Sequence, residues 1–168
     1  MLAKMIPFLA LKPVTDRLPT GFHDIRIEAR AEGYRFMERL FNEWETNVTR
    51  FDRDGEALLA AHMDDALAGI GGLTLDPVLT RALRLRRFYV RPSFRGHGIG
   101  RRLAEALLET PRRAGRAVMV NAARGSAPFW EALGFVSDRR DGHTHVFPCP
   151  RPTYHPDSIP GKFSRILR

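Results

Sequence analysis

The stretch RGHGIGRRL, residues 95–103, places glycine at 96, 98 and 100 and arginine at 95, 101 and 102. Glycine loses more backbone freedom on folding than any other residue, so such a cluster implies a backbone that something must approach closely. Phosphate is the chemistry such a loop serves, because bare N–H groups and nearby arginines both attract it. A P-loop is excluded, since Arg101 and Arg102 follow Gly100 where Lys-Ser/Thr is required. A dinucleotide fingerprint fits poorly: the third glycine falls one residue early, and no strand-end acid lies at the required distance. What remains is Arg-x-x-Gly-x-Gly, met by Arg95, Gly98 and Gly100. The charges agree with it. The positive end of a helix disfavours Arg101 and Arg102, a cost offset once an anion sits on the first-turn N–H groups.

Two further sets of side chains could do chemistry. Arg84 and Arg86 share one face of a strand by two-residue alternation. If that face looks into a cleft, they would grip a carboxylate or phosphate bidentately; otherwise they are solvated arginines. His143, His145, Cys149 and His155 form H-x-H…C…H, which matches no standard structural zinc spacing, so no metal is expected. Cys149 is the single cysteine, which excludes an internal disulfide and fits a reducing compartment.

The elements that must carry these residues follow from periodicity. Phe8 to Val14 predicts a strand. Ile25, Ala29, Phe36, Met37, Leu40, Phe41 and Trp44 predict one helix, with Gly33 on the same stripe marking close packing against a neighbour. EALLAAHM and ALAGIGGLTL around Asp64–Asp65 read as a hairpin, and ALRLRRFYV as the next strand. A helix through Ile99, Leu103 and Leu107 is expected to end at Pro111. AVMVNAA is a buried strand, Ser126 caps a short helix that Gly134 stops, and FVSD and HTHVF are the last strands. The order β-α-β-β-β-α-β-α-β-β is an α/β mixed sheet with helices on its faces. The expected domain spans residues 1–147, followed by a Pro-rich tail at 148–168 that packs on it or frays. Its 27 Lys+Arg against 19 Asp+Glu give a net charge of +8, a field that favours anionic partners. MLAKMIPFLALKP lacks a small-residue cleavage site and Lys12 interrupts its apolar run, so a cytoplasmic protein is expected, with no membrane span.

YVRPSFRGHGIGRRLAEALL resembles the coenzyme A-binding signature of the GNAT superfamily of acyl-CoA-dependent acyltransferases. NAARGSAPFWEALGF, with Asn121, Ala127, Phe129, Trp130, Gly134 and Phe135, resembles that family's Asn…Ala-x-Phe-Tyr-x-x-x-Gly-Phe segment. The resemblance covers roughly residues 7–147. It implies a predominantly antiparallel sheet with one splayed parallel pair, LRRFYV beside AVMVN, holding acetyl-CoA in the gap. Arg95, Gly96, His97, Gly98, Ile99, Gly100 and Arg101 would surround the pyrophosphate. Phe88, Tyr89 and Val90 would meet the pantetheine arm, with Asn121, Phe129 and Trp130 beside the cofactor.

An amine would then attack the thioester directly in a ternary complex, with a strand N–H of Phe88 or Val90 polarising the carbonyl. Trp130 stands where many members have a tyrosine acid, and Arg84 where some have a glutamate base. Tyr89 or solvent would replace the acid, while Glu43, Glu45 and His62 are candidate bases. Arg84, Arg86 and Trp44 would line the acceptor side, for a small carboxylate- or phosphate-bearing amine or a protein N-terminus. Two alternatives stay open: an acyl-CoA sensor without catalysis, and an acetyltransferase directed at RNA. Against the latter, no recognisable RNA-binding module is present and the arginines are spread along the chain. Exposed strands and the tail would permit a homodimer.

Overall fold

The computed structural model describes residues 7–140 and 142–148. Strands β1 (Leu9–Pro13), β2 (Ala57–Met63), β3 (Ala66–Leu75), β4 (Leu83–Val90), β5 (Val118–Val120), β6 (Val136–Arg140) and β7 (His143–Phe147) form one sheet in the order β1-β2-β3-β4-β5-β7-β6. All neighbours are antiparallel except β4 and β5. Helices α1 (Phe22–Ala31) and α2 (Phe36–Glu45) cover one face, and α3 (Ile99–Arg113) and α4 (Ala127–Ala132) the other. The mixed sheet with helices on both faces is thus as expected; four elements differ in detail.

The first helical stripe is two helices. Tyr34 N–H donates to Ala29 O and Gly33 N–H to Arg30 O, both at 2.9 Å, while Gly33 takes φ +85°. This is the left-handed C-terminal cap that glycine alone adopts without strain. No atom lies within 4 Å of where a Gly33 Cβ would stand, so the residue serves the turn and not a close packing contact. Seven residues separate Ala29 from Phe36, about two helical turns, which is why the stripe reads as unbroken.

Pro111 does not end α3. It sits buried in the last turn, and the helix continues to Arg113. So near the terminus the missing N–H and the ring cost little, and the ring joins the apolar face of Ile99, Leu103, Leu107 and Leu108. Ser126 stands at the N-cap of α4 as expected, but its side chain makes no cap: the hydroxyl donates to Ala123 O at 2.7 Å, within its own turn. AVMVNAA supplies only three residues of strand, β5.

The sheet separates two apolar clusters. Leu83, Leu85, Leu103, Leu108 and Trp130 belong to one, and Ile25, Leu40, Trp44, Leu58 and Tyr89 to the other. Each fully buried Leu or Ile contributes roughly 1.5–3 kcal/mol of transfer free energy. A bulge in β4 decides which side chains face which cluster. Ile70 pairs with Tyr89 but Gly72 with Arg86, and Arg87 takes φ +56° between them. The extra residue reverses the alternation. Leu83 and Leu85 point towards α3 before it, and so do Phe88 and Val90 after it.

Candidate active site

The parallel pairing of β4 with β5 stops at Leu85 and Val120, although β4 runs on to Val90. Among the described residues, β4 has no strand partner on that side from Arg86 onward. A cleft of about 1030 Å³ opens there, lined by β4 itself, residues 94–96 and 98–101, the segment after β5, and the start of α2.

On the α3 side the loop is built for an anion. Gly96 and Gly98 take φ +80° and +76°, and nothing lies within 4 Å of a Cβ placed on either. Their absent side chains therefore leave open space in front of the helix N-terminus. Gly98 caps α3 without a side-chain bond, and the first turn holds no acidic residue, so its N–H groups face the cleft with their partial positive charge. Gly100 is packed more ordinarily: a Cβ placed on it would lie 3.4 Å from the Phe129 ring and 3.5 Å from Val90 Cγ2. Phe88, Phe129 and Trp130 pack at 4.8–5.8 Å between centroids, Trp130 edge to face with both phenyl rings and those two tilted by 40°, an apolar wall beside that loop.

Arg95 lines the cleft, but its guanidinium is engaged. It donates to both oxygens of Glu32 at 2.7 and 2.8 Å, and its Nε donates to Val90 O at 2.9 Å. That clamp ties the glycine loop to the end of β4 and to the α1–α2 turn. The Arg95 guanidinium holds the Glu32 carboxyl below its usual range. Tyr89 OH donates to the same carboxylate at 2.5 Å, and burial followed by that bond raises the phenol well above its ordinary pKa. Arg101 pairs with Glu105 one turn along α3.

The face towards α2 is an arginine cluster. Arg84 donates to Asp76 at 3.0–3.1 Å, and Arg87, 8% exposed, donates to both oxygens of Glu43. Burial tends to raise the Asp76 carboxyl; the N–H groups of Leu79 and Val78 and the Arg84 guanidinium overcome it and lower the pKa. Arg86 and Arg39 also line the cleft, and neither has an ion-pair partner among the described residues. Burial first, then Arg87, Arg84 and Arg39 around it, lower the Arg86 pKa despite Glu43 nearby.

Several residues singled out from sequence stand elsewhere. Trp44 is buried beneath α2, with the Arg50 guanidinium 4.0 Å over its ring, and does not line the cleft. Glu45 is exposed at the end of α2, and Glu43 reaches the site only through Arg87. His62 lies on β2 beside Lys12 and Asp65, in a separate hollow. His97 turns back on its own loop, with Nδ1 3.0 Å from Arg95 O. Phe88, Tyr89, Val90, Asn121, Phe129, Trp130, Arg84 and Arg86 do line the cleft. His143 pairs with Asp138 and His145 approaches Thr144 and Glu131, while Cys149 and His155 lie outside the described residues. Among the described residues no three His, Cys, Asp or Glu converge as metal ligands, and no helix is long and apolar enough to cross a membrane.

Tyr34, Phe36 and Arg39 were not visible from sequence as cleft residues. Gly33 was the available signal: read as a C-terminal cap, it turns the chain there and hangs Tyr34 over the opening, 6.5 Å from the Tyr89 ring.

No curated protein sequence matches this chain. Among solved structures, an inferred acetyltransferase of Exiguobacterium sp. 255-15 superposes with a TM-score of 0.75 at 24% identity, over 83% of this chain and 92% of that one. The GNAT family N-acetyltransferase YhbS of Escherichia coli, in complex with CoA, gives a TM-score of 0.60 at 16% identity, over 87% and 84%. The PaiA N-acetyltransferase of Thermoplasma acidophilum, in complex with coenzyme A, gives 0.57 at 18%, over 83% and 96%. These likenesses establish the fold. The family model of the acetyltransferase (GNAT) domain matches residues 21–146, which hold the whole cleft, and the chain belongs to that family.

Proposed function

We propose that the protein transfers an acetyl group from acetyl-CoA to a primary amine that carries a carboxylate or phosphate, by direct attack in a ternary complex. The observation that carries this reading is the unpaired edge of β4. It lies between the open amide terminus of α3 on one side and the arginine cluster on the other. Pyrophosphate suits the first site, since backbone N–H groups and a helix terminus bind it without a side-chain cation. An extended thioester arm suits the free strand edge, whose N–H and C=O groups need partners. A β4 N–H directed into the gap can stabilise the oxyanion formed at the thioester carbonyl. Thiolate is a tolerable leaving group, its thiol titrating near 8.5, so Trp130 in place of an acidic hydroxyl does not stop the reaction.

A second reading has one observation in its favour. Among the described residues lining the cleft there is no Asp, Glu or His to serve as base, as in a protein that binds acyl-CoA without turnover. Calorimetry with acetyl-CoA, on the wild type and on Gly98→Glu, tests the cofactor site. Micromolar binding that the variant loses, with its melting temperature checked separately, supports the site. Release of free CoA thiol on adding amines then separates enzyme from sensor, and absence of wild-type binding removes both readings.

A further inference from the structure

The acceptor side of the cleft has an unbalanced charge. Arg39 from α2 and Arg84, Arg86 and Arg87 from β4 converge there, against Glu43 from α2 and Asp76 beyond β3 as the acidic groups among the described residues. Four guanidiniums thus face two carboxylates, both already engaged by Arg84 and Arg87. The other ionisable groups of that side are Tyr34 and Tyr89, and Tyr89 is spent on Glu32. On the cofactor side Glu32 and Glu105 balance Arg95 and Arg101, and Arg124 adds one further positive charge. Arg86 has no ion-pair partner among the described residues, and the nearby Glu43 offsets only part of the hydration it loses, so an arriving anion would compensate the rest.

We propose that this field, and not a protein base, deprotonates the acceptor amine, while Arg86 holds the acceptor's own anionic group. The inference rests on the acetyltransferase reading above and specifies its acceptor. A surplus of two positive charges seats one negative charge with one positive charge left over, which fits an amino acid, a peptide carboxylate or an aminoalkyl phosphate monoanion and rejects polyamines. That remaining charge disfavours an ammonium group beside it, so the acceptor enters as its neutral amine after losing a proton to solvent. The nitrogen lone pair forms the new C–N bond, the C–S bond breaks with its electron pair on sulfur, and the excess nitrogen proton passes to that sulfur. Acetylated amine and CoA thiol result, with no proton stored on the protein.

The test is thiol release by the full-length protein under saturating acetyl-CoA, with primary amines paired by charge. The pairs are α-amino acids against their amides, dipeptides against amidated dipeptides, and aminoalkyl phosphates against amino alcohols. Anionic members are expected to exceed their partners at least about tenfold in kcat/KM, the scale of one good charged contact. Arg86→Gln is expected to erase that ratio and Arg86→Lys to restore part of it, with acetyl-CoA affinity reporting that both variants fold.

The pH profile decides the base. The acid limb of kcat/KM should follow the acceptor's own basicity from amino acid to dipeptide, and that of kcat should lie about one unit or more below the free amine. A limb that stays fixed while the acceptor changes reveals a protein base and overturns the inference. Uncharged partners that react as fast as the anionic ones also overturn it while leaving the acetyltransferase reading intact. Acetyl-CoA binding without thiol release from any amine overturns both.

Discussion

Tyr89 shows how a residue can line a reactive cleft and still be unsuited to proton transfer. Its hydroxyl donates to Glu32, whose other contacts are the two nitrogens of Arg95. Burial and the adjacent carboxylate make the phenol a poorer acid than tyrosine in water. Tyr89→Phe should therefore keep kcat within about threefold while lowering stability by about 1.5–3 kcal/mol, the usual contribution of one hydrogen bond to a charged group. Denaturant unfolding and steady-state thiol release measure the two quantities; a loss of kcat beyond a hundredfold would restore the tyrosine as acid. Glu38 gives a second single-residue effect. Arg26, and then Arg30, against the opposing effect of burial, hold its carboxyl at about 2. A depressed folded pKa stabilises the protein above the unfolded carboxylate range near 4.3 and loses that contribution as pH falls towards 2. Glu38→Gln should cost about 1 kcal/mol or less at neutral pH, since solvent screens the pair, and should flatten melting temperature against pH between roughly 5 and 2.

At the scale of elements, the cleft exists because β4 bulges and β5 is short. The bulge needs room on β3, and Gly71 supplies it: a Cβ there would lie 2.7 Å from Phe88 Cδ2 and 3.0 Å from Leu107 Cδ1. Gly71→Ala should push the Phe88 ring towards the cleft, cost about 1–3 kcal/mol as overpacking does, and weaken acetyl-CoA binding more than a remote variant of equal stability. Calorimetry beside thermal melting separates the two effects. The sequence carried the glycine loop, the hairpin of β2 and β3, and the two strands after α4, because each has local punctuation or a clean period. It did not carry the bulge. Arg87 at φ +56° is not glycine, and its conformation is held by the ion pair to Glu43, forty-four positions away. The break between α1 and α2 was hidden for another reason, a seven-residue spacing that keeps the helical phase across Gly33. Trp44, read as facing the acceptor, follows the apolar stripe into the core instead.

For the molecule as a whole, the sheet divides the work. The α3 face presents amide groups and an apolar wall, the α2 face presents arginines, and the gap beyond Leu85 joins them through the sheet. The chain carries a net charge of +8, so both ligands, if anionic, are drawn by the same field. The two sites should nevertheless respond to salt differently. Backbone N–H groups at a helix terminus act at contact range, and the thioester arm binds by apolar and strand-edge contacts, so acetyl-CoA affinity should fall only a few-fold between 50 and 500 mM NaCl. An acceptor anion seated on Arg86 relies on net charge, and its KM should rise tenfold or more over the same range, where the Debye length shrinks from about 14 to about 4 Å. Measured together by calorimetry and by initial rates, a steep acceptor dependence beside a shallow cofactor dependence is the expected pattern. Equal slopes would mean that the chain attracts anions by its overall charge alone, and the arginine cluster would lose its claim to specificity.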